Sequence, residues 1–302
     1  MLNISVRQLH YFLSLVQAGS FSRAAEAVGV TQSTLSAAIQ ALEAELGVTL
    51  IDRTGRRMQL LPAGEDFLAR ARNIVALIEE LPEQAQQAQR PLTTRLRLGV
   101  IPSIAPFLLP KVLPETAQLF PELQLSVREG LTRMLLDNLR SGSLDVALVA
   151  HPYDLHDFEI AEIGEDPFFL AVRRDHALAN RAHIDASDLA DQPVLLLESG
   201  HCLREHVMAA IGSQPTQSGS DVHATSITTL VQLVQFGMGV TLLPNLAIKA
   251  GVTRGTDLSL IPYEGNNNSR SLVLAWRSNA ARRKEFQLFA EHLRDHCMDN
   301  TL

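Results

Sequence analysis

Gly19-Ser20-Phe21-Ser22-Arg23-Ala24-Ala25-Glu26-Ala27-Val28-Gly29-Val30-Thr31-Gln32-Ser33-Thr34-Leu35-Ser36 reads as a short helix, a glycine turn and the start of a second helix. Ser20 or Ser22 can cap the first helix, Gly29-Val30 makes a tight turn, and Thr31 is placed to cap a helix from Gln32 to about Leu46. Along that second helix Leu35, Ile39, Leu42 and Leu46 line one face, which leaves Gln32, Ser33, Ser36 and Gln40 on another. Upstream, Leu9, Phe12, Leu13 and Val16 recur at i, i+3, i+4, i+7, the stripe of an amphipathic helix that Gly19 stops. Two short helices joined by a glycine turn, the second with a polar outer face, form a helix-turn-helix pattern. Downstream, residues 49–53 and 58–60 flank Thr54-Gly55-Arg56-Arg57, a hairpin signal with a basic tip. The first sixty residues therefore read as a winged helix-turn-helix.

From Ala63 to about Gln89 the helical character returns, rich in Ala, Leu, Glu and Gln. Phe67, Ile74, Leu77, Ile78 and Leu81 make an apolar seam, with Pro82 as a kink or end point. A long helix with one apolar seam needs a partner, so it reads as a dimerisation linker; the alternative is a helix folded onto its own domain. Beyond Arg95 the period changes. Strand-like segments at 96–100, 123–127 and 146–149 alternate with helical ones at 108–120 and 134–140, the pattern of parallel βαβ units. Further strands are expected at 168–172, 194–197, 240–243 and 272–275, and a last helix near 284–296. The expected domains are a winged helix-turn-helix over 1–62, a linker and dimerisation helix over 63–92, and a regulatory α/β domain over 93–302.

The chain has 302 residues, 46% hydrophobic and 20% charged, which excludes a disordered or fibrous protein. A net charge of −7 argues against a general nucleic-acid coat, yet residues 1–60 hold five Arg against four acids. That asymmetry suits a local DNA-reading module on an acidic body. Apolar runs such as 194–197 and 240–243 fall far short of the ~20 residues a membrane span requires. Arg7, Gln8, His10 and Gln17 interrupt the N-terminal segment, so neither a signal peptide nor a membrane partner is expected, and the chain reads as cytoplasmic. Two cysteines, Cys202 and Cys297, are too few for a disulfide scaffold.

Leu9-His10-Tyr11-Phe12, Gly19 through Ala25, Thr31 through Ser36, Leu42-Glu43-Ala44-Glu45-Leu46-Gly47, Leu50-Ile51-Asp52-Arg53 and Pro62-Ala63-Gly64 together resemble the LysR-type family of bacterial transcriptional regulators. The resemblance runs over nearly the whole chain. It implies a winged DNA-binding domain, a long linker helix, and an effector domain of two α/β lobes with periplasmic-binding-protein-like topology. It also implies a double-stranded DNA operator, a homotetramer built as a dimer of dimers, and RNA polymerase as a further partner. Within the effector half, Ile101 through Pro110, Gly200-His201-Cys202-Leu203-Arg204-Glu205, Ala224-Thr225-Ser226 and Gly239 through Pro244 resemble the peroxide-sensing OxyR subgroup. There the cysteine of the Gly-His-Cys-Leu-Arg motif meets hydrogen peroxide, and Cys202 holds that position. Ser103, Thr132 and Arg270 match pocket positions of the subgroup. Its resolving cysteine falls about nine residues further on, where this chain has Ile211, so a one-cysteine switch is expected.

The residues fit that chemistry. Ser199-Gly200 before an apolar-periodic run places Cys202 in the first turn of a helix, where free N–H groups and the dipole favour an anion. The thiolate is the nucleophile, so a sensor has to favour it over a thiol of pKa ~8.5. Ser103, Thr132, His201, Arg204, Glu205 and Arg270 form the expected pocket. The bland alternatives are that Cys202 is a small buried hydrophobe, His201 a surface histidine, and Arg204 and Glu205 a solvated helix face. Cys297, a second thiol, reads as incidental and exposed. For DNA, Gln32 can bond an adenine edge, and Ser33, Thr34, Ser36 and Gln40 share its face. Ser22, Arg23, Thr31 and the wing arginines Arg53 and Arg56 suit phosphates. Here the alternatives are a solvated helix face for Gln32 and Ser36 and a structural ion pair for Arg53.

A phosphate loop and a dinucleotide fingerprint are absent. The ten histidines are read as forming no His-x₃-His pair beside carboxylates, so neither metal nor cofactor is expected. No enzyme is read here. Two other functions stay open: a LysR-type regulator binding a small anionic metabolite in the same cleft, and a thiol peroxidase using Cys202.

Overall fold

The computed structural model describes residues 3–52, 58–87, 91–212 and 224–297, in two compact units. The first contains α1 (Val6–Ala18), α2 (Phe21–Ala27), α3 (Gln32–Leu46), β1 (Ile51–Asp52), β2 (Gln59–Leu60) and α4 (Pro62–Gln87). Ser5 opens α1 in a capping box: its hydroxyl accepts from Gln8 N–H, and the Gln8 side chain accepts from Ser5 N–H at 2.8 Å. Gly19, at φ 63°, ends it in the left-handed region. Thr31 caps α3, accepting from Thr34 N–H at 3.2 Å. Ser20 stands at the N-cap of α2 but makes no cap bond, and Ser22 lies inside the helix, so neither serine caps α2. Phe12, Leu15, Leu35, Ile39 and Leu42 are fully buried together, each worth roughly 1.5–3 kcal/mol of burial.

The wing strands pair antiparallel, and the Glu43 carboxylate accepts from Leu50 and Ile51 N–H at 2.9 and 3.2 Å, which ties β1 to α3. Gly64 lets α4 pass this strand: a Cβ there would lie 2.2 Å from the Leu50 carbonyl. One face of α4 belongs to the core of this unit, and of the described residues of the expected seam only Phe67 lies on it. Phe67, Leu68, Ala71 and Val75 pack into the core of this unit, with the Phe67 ring edge-on to Phe12 at 5.2 Å, whereas Ile74 is exposed. Nor does Pro82 end the helix, which continues to Gln87; one missing N–H is tolerated among strong helix formers.

In the second unit β3 (Arg95–Val100), α5 (Ala105–Leu119), β4 (Gln124–Glu129), α6 (Thr132–Arg140) and β5 (Val146–His151) lead into the long β6 (Phe158–Arg173). Then come α7 (Cys202–Ile211), α8 (Ile227–Gln235), β7 (Thr241–Pro244), α9 (Asn245–Lys249), β8 (Leu258–Pro262), β9 (Ser269–Arg277) and α10 (Arg283–Cys297). The strand order is β4-β3-β5-β9-β6-β7, with β8 also on β6. Only β3 with β4 and β5 are parallel; β9 runs antiparallel to β5 and β6, and β6 antiparallel to β7 and β8. Its first part, from Phe158 to Pro167, pairs with β9, and its second, from Phe168, with β7 and β8. One strand thus serves two lobes. One core gathers Leu98, Leu148, Trp276 and Phe289; the other gathers Phe168, Leu170, Val231 and Leu243.

The strand expected at 168–172 is therefore the second half of β6. Gly164 and Pro167 concealed the first half, and Gly164 sits at a register shift. The segment 194–197 forms no strand, only isolated bridges from Val194 to Val240 and Leu197 to Ala224. β8 was not anticipated. Among the described residues no helix is long and apolar enough to cross a membrane.

Candidate functional site

Three helix starts meet at one crevice in the second unit. It is lined by Ile101, Pro102 and Ser103, which lead into α5, by Leu131 and Thr132 at the start of α6, and by His201, Cys202 and Leu203 at the start of α7. Gly200, at φ 99°, makes the turn that delivers the chain to α7. Cys202 is the first residue of that helix and is buried, with its side chain in the core of the first lobe, while Leu203 belongs to the core of the second. The free first-turn N–H groups of α6 and α7 favour negative charge at this point, whereas those of α5 are already bonded to the carbonyls of Ile101 and Ile104 or, at Pro106, absent. The crevice is closed to less than the width of a water molecule.

Two hydroxyls flank the thiol. Thr132 Oγ1 is buried without a hydrogen-bond partner, an orphan of the kind native interiors rarely keep. Ser103 Oγ accepts from Arg270 Nη1 at 2.7 Å, and its backbone carbonyl accepts from Nη2 at 3.1 Å, which leaves the serine proton free to donate. Arg270 is itself fully buried, and Asp166 Oδ2 accepts from its Nε and Nη2 at 3.1 and 3.0 Å. Leu246 N–H completes Asp166 at 2.8 Å. Burial pushes the Asp166 carboxyl up, and the Arg270 charge opposes it.

The expected pocket is thus assembled only in part. Ser103, Thr132, His201 and Cys202 line the crevice. Arg270 stands behind Ser103 and is not among the lining residues. Arg204 turns away to donate to the Leu197 carbonyl at 3.1 Å, and Glu205 is exposed. Both are corrected out of the crevice because the helical repeat carries them to other faces of α7. Burial lowers the His201 pKa, against the pull of Glu198. Ile211, at the last position of α7, is buried in an apolar core.

Cys297 is not the exposed thiol expected. It ends α10, half-buried against Gly164, and burial pushes its pKa up to about 12, with the Asp166 charge adding to the shift. So little thiolate makes it a poor partner for a disulfide. The histidine reading is corrected as well: His292 and His296 are an i, i+4 pair on α10, beside Glu291 and Asp295.

His206, one turn after Cys202, is a residue sequence reasoning missed; only its helical spacing from the cysteine signalled it. It is buried, its Nε2 lies 3.0 Å from the Pro152 carbonyl, and its Nδ1 has no partner. Burial brings its pKa down to about 4. Between pH 6.5 and about 4 the unfolded chain therefore binds a proton that the folded chain does not, so stability is lost as the pH falls through this window. The loss amounts to about 3 kcal/mol at most. His206→Gln, which keeps a donor for Pro152, should flatten the slope; urea unfolding on either side of the window measures it, and an unchanged slope would refute the assignment.

In the first unit Thr31, Gln32, Ser33 and Thr34 form the exposed start of α3, Gln40 is exposed and Ser36 half-buried. Ser22 and Arg23 are exposed on α2, and the Ser22 hydroxyl donates to Gln32 Oε1 at 3.0 Å, holding the amide in place. Thr31 Oγ1 lies 2.9 and 2.7 Å from the hydroxyls of Ser33 and Thr34. Arg53 and Arg56 lie outside the described residues.

Residues 6–65 match the family described as "Bacterial regulatory helix-turn-helix protein, lysR family", and residues 89–298 match "LysR substrate binding domain". A Streptomyces viridosporus protein described as a "probable hydrogen peroxide-inducible genes activator" is 39% identical, covering 98% of this chain and 95% of its own. A full-length cysteine-to-aspartate OxyR variant from Pseudomonas aeruginosa superimposes with a TM-score of 0.78 at 30% identity, covering 97% of this chain and 95% of that one. A cysteine-to-serine OxyR variant from Corynebacterium glutamicum, with hydrogen peroxide bound, gives 0.67 at 32% identity, covering 97% and 92%.

Proposed function

This chain belongs to the LysR family of bacterial transcriptional regulators, not to a family of enzymes, and on that premise we propose that it senses hydrogen peroxide by oxidation of Cys202. One observation carries the reading. The buried, unpaired Thr132 hydroxyl lines the same crevice as Cys202. Hydrogen peroxide is small and has two oxygens to hydrogen-bond, which suits that hydroxyl.

The Cys202 thiolate attacks one peroxide oxygen, an S–O bond forms and the O–O bond breaks. Hydroxide leaves and takes up a proton as water, and Cys202 becomes a sulfenic acid. Thr132 and Ser103 hold the peroxide oxygens, and the helix starts stabilise the departing hydroxide. With Ile211 at the resolving position and Cys297 held as a thiol, no second sulfur of the chain is poised to follow. The sulfenic acid then persists, is capped by a low-molecular-weight thiol, or overoxidises. The larger, more polar group at the start of α7 biases one of two arrangements of a tetramer built as a dimer of dimers, and so changes how DNA half-sites are spanned. Residues 1–62 bind the operator, 63–92 link and dimerise, 93–302 sense, and the oxidised form engages RNA polymerase.

A few equivalents of hydrogen peroxide added to the reduced protein should add oxygen or a thiol cap at Cys202, read by intact and peptide mass spectra, and Cys202→Ser should show none. A Cys202 that reacts no faster than a free thiol overturns the reading. A Cys202–Cys297 disulfide would bring back a two-cysteine switch. The second reading, a small anionic metabolite on the same helix starts, rests on their charge; Cys202→Ser would leave its binding intact.

At the operator, Gln32→Ala should cost about 1–3 kcal/mol of discrimination at one base pair. Arg23→Ala, which removes an exposed cation of α2, should weaken binding to all sequences alike. Binding isotherms on operator variants measure both, and a uniform loss for Gln32→Ala would remove its base-reading role.

A further inference from the structure

We propose that Glu115, His292 and His296 form a binding site for a divalent transition metal ion of the zinc class, tying α10 to α5. One ring nitrogen of each histidine and one carboxylate oxygen of Glu115 lie within 4.8 Å of one another. The histidines are one turn apart on α10, their rings edge-to-face at 5.0 Å, and Glu115 projects from α5. Two imidazoles and a carboxylate make a donor set that suits zinc and its neighbours, with a fourth position left for water.

The hydrogen bonds around the rings favour a cation. His292 Nε2 lies 2.8 Å from Thr116 Oγ1, and that hydroxyl already donates to the Val112 carbonyl at 2.8 Å. The hydroxyl must therefore accept from His292, which puts the ring proton on Nε2 and leaves Nδ1 with its lone pair. A second partner that fixes the tautomer in this way is the usual support of a metal-binding histidine. His296 Nε2 is shielded from solvent and has no hydrogen-bond partner, although Glu115 Oε2 is 3.1 Å away. A close carboxylate out of line with the ring nitrogen is resolved by an ion that both can face.

A tetrahedral zinc with bonds of about 2.0–2.1 Å sets its ligand atoms roughly 3.4 Å apart. Glu115 Oε2 and His296 Nε2, at 3.1 Å, are already near that separation, and Glu115 is 52% exposed, so its carboxylate has room to adjust. None of these residues lines the Cys202 crevice, so the site does not depend on the redox thiol.

The test is a Co²⁺ titration of the full-length Cys202→Ser/Cys297→Ser protein, followed by visible absorption, with Zn²⁺ as competitor. A saturating ligand-field spectrum at one Co²⁺ per chain, displaced by Zn²⁺, is expected. His296→Gln and Glu115→Gln should each weaken binding at least ~10-fold, and Thr116→Val, which removes the supporting hydroxyl, by ~10-fold, with unchanged circular dichroism. These variants are preferred to His292→Ala, whose buried ring also packs the domain. Absence of a saturating spectrum overturns the proposal, as does an affinity that His296→Gln and Glu115→Gln leave unchanged.

Discussion

Arg270→Met destabilises the regulatory domain by about 3–5 kcal/mol. Arg270 and Asp166 are both buried, and their pairing at 3.0 Å joins two points 104 residues apart. Removing the cation strands a carboxylate in the interior. Burial, which already raises the Asp166 pKa, is then opposed only by the Leu246 N–H, and the balance moves further towards the protonated acid. The same change frees Ser103, whose hydroxyl and carbonyl Arg270 holds. Two effects are therefore expected together: a lower denaturation midpoint and slower oxidation of Cys202. The double variant Asp166→Leu/Arg270→Met should recover much of the stability, because an apolar pair of similar volume removes both desolvation costs. It should not recover the oxidation rate. A loss below ~1 kcal/mol for Arg270→Met would mean that the pair is solvated.

Thr132→Val separates chemistry from stability in the opposite direction. Its hydroxyl is buried and unpaired, so replacing it with a methyl group of similar shape leaves stability unchanged or slightly raised. If the hydroxyl holds peroxide for displacement, the variant loses a hydrogen bond worth ~1.5–3 kcal/mol at the transition state, and oxidation of Cys202 slows about 10- to 100-fold. Stopped-flow peroxide consumption and thermal melts on the same preparation give both numbers. An unchanged rate would remove Thr132 from the mechanism.

The DNA-binding unit was the most legible part of the chain. Its helices are specified by near-neighbour signals: the Leu35, Ile39, Leu42 stripe, Thr31 as cap, and Gly19 and Gly47 at left-handed ends. Cys202 at a helix start was legible for the same reason, since Gly200 and the apolar spacing that follows are local. Other features were not. Arg204 and Glu205 are next to Cys202 in sequence, yet the helix turns them out of the crevice. Asp166 gives no sign in sequence of its pairing with Arg270. His292 and His296 show the converse: their spacing is local, but it acquires meaning only from Glu115, which the fold brings beside it from another helix.

Residue periodicity and capping chemistry alone determine the winged helix-turn-helix, the βαβ start of the regulatory domain and the position of Cys202 in its helix, because each depends on residues a few positions apart. Long-range packing alone decides that β6 serves two lobes, that the starts of α5, α6 and α7 meet at one crevice, and that Cys297 is shielded and held as a thiol. The physical reason is burial. Desolvation, orphaned hydroxyls and charge pairs depend on what lies within a few ångströms, and at this site those neighbours come from segments that only the folded chain brings together.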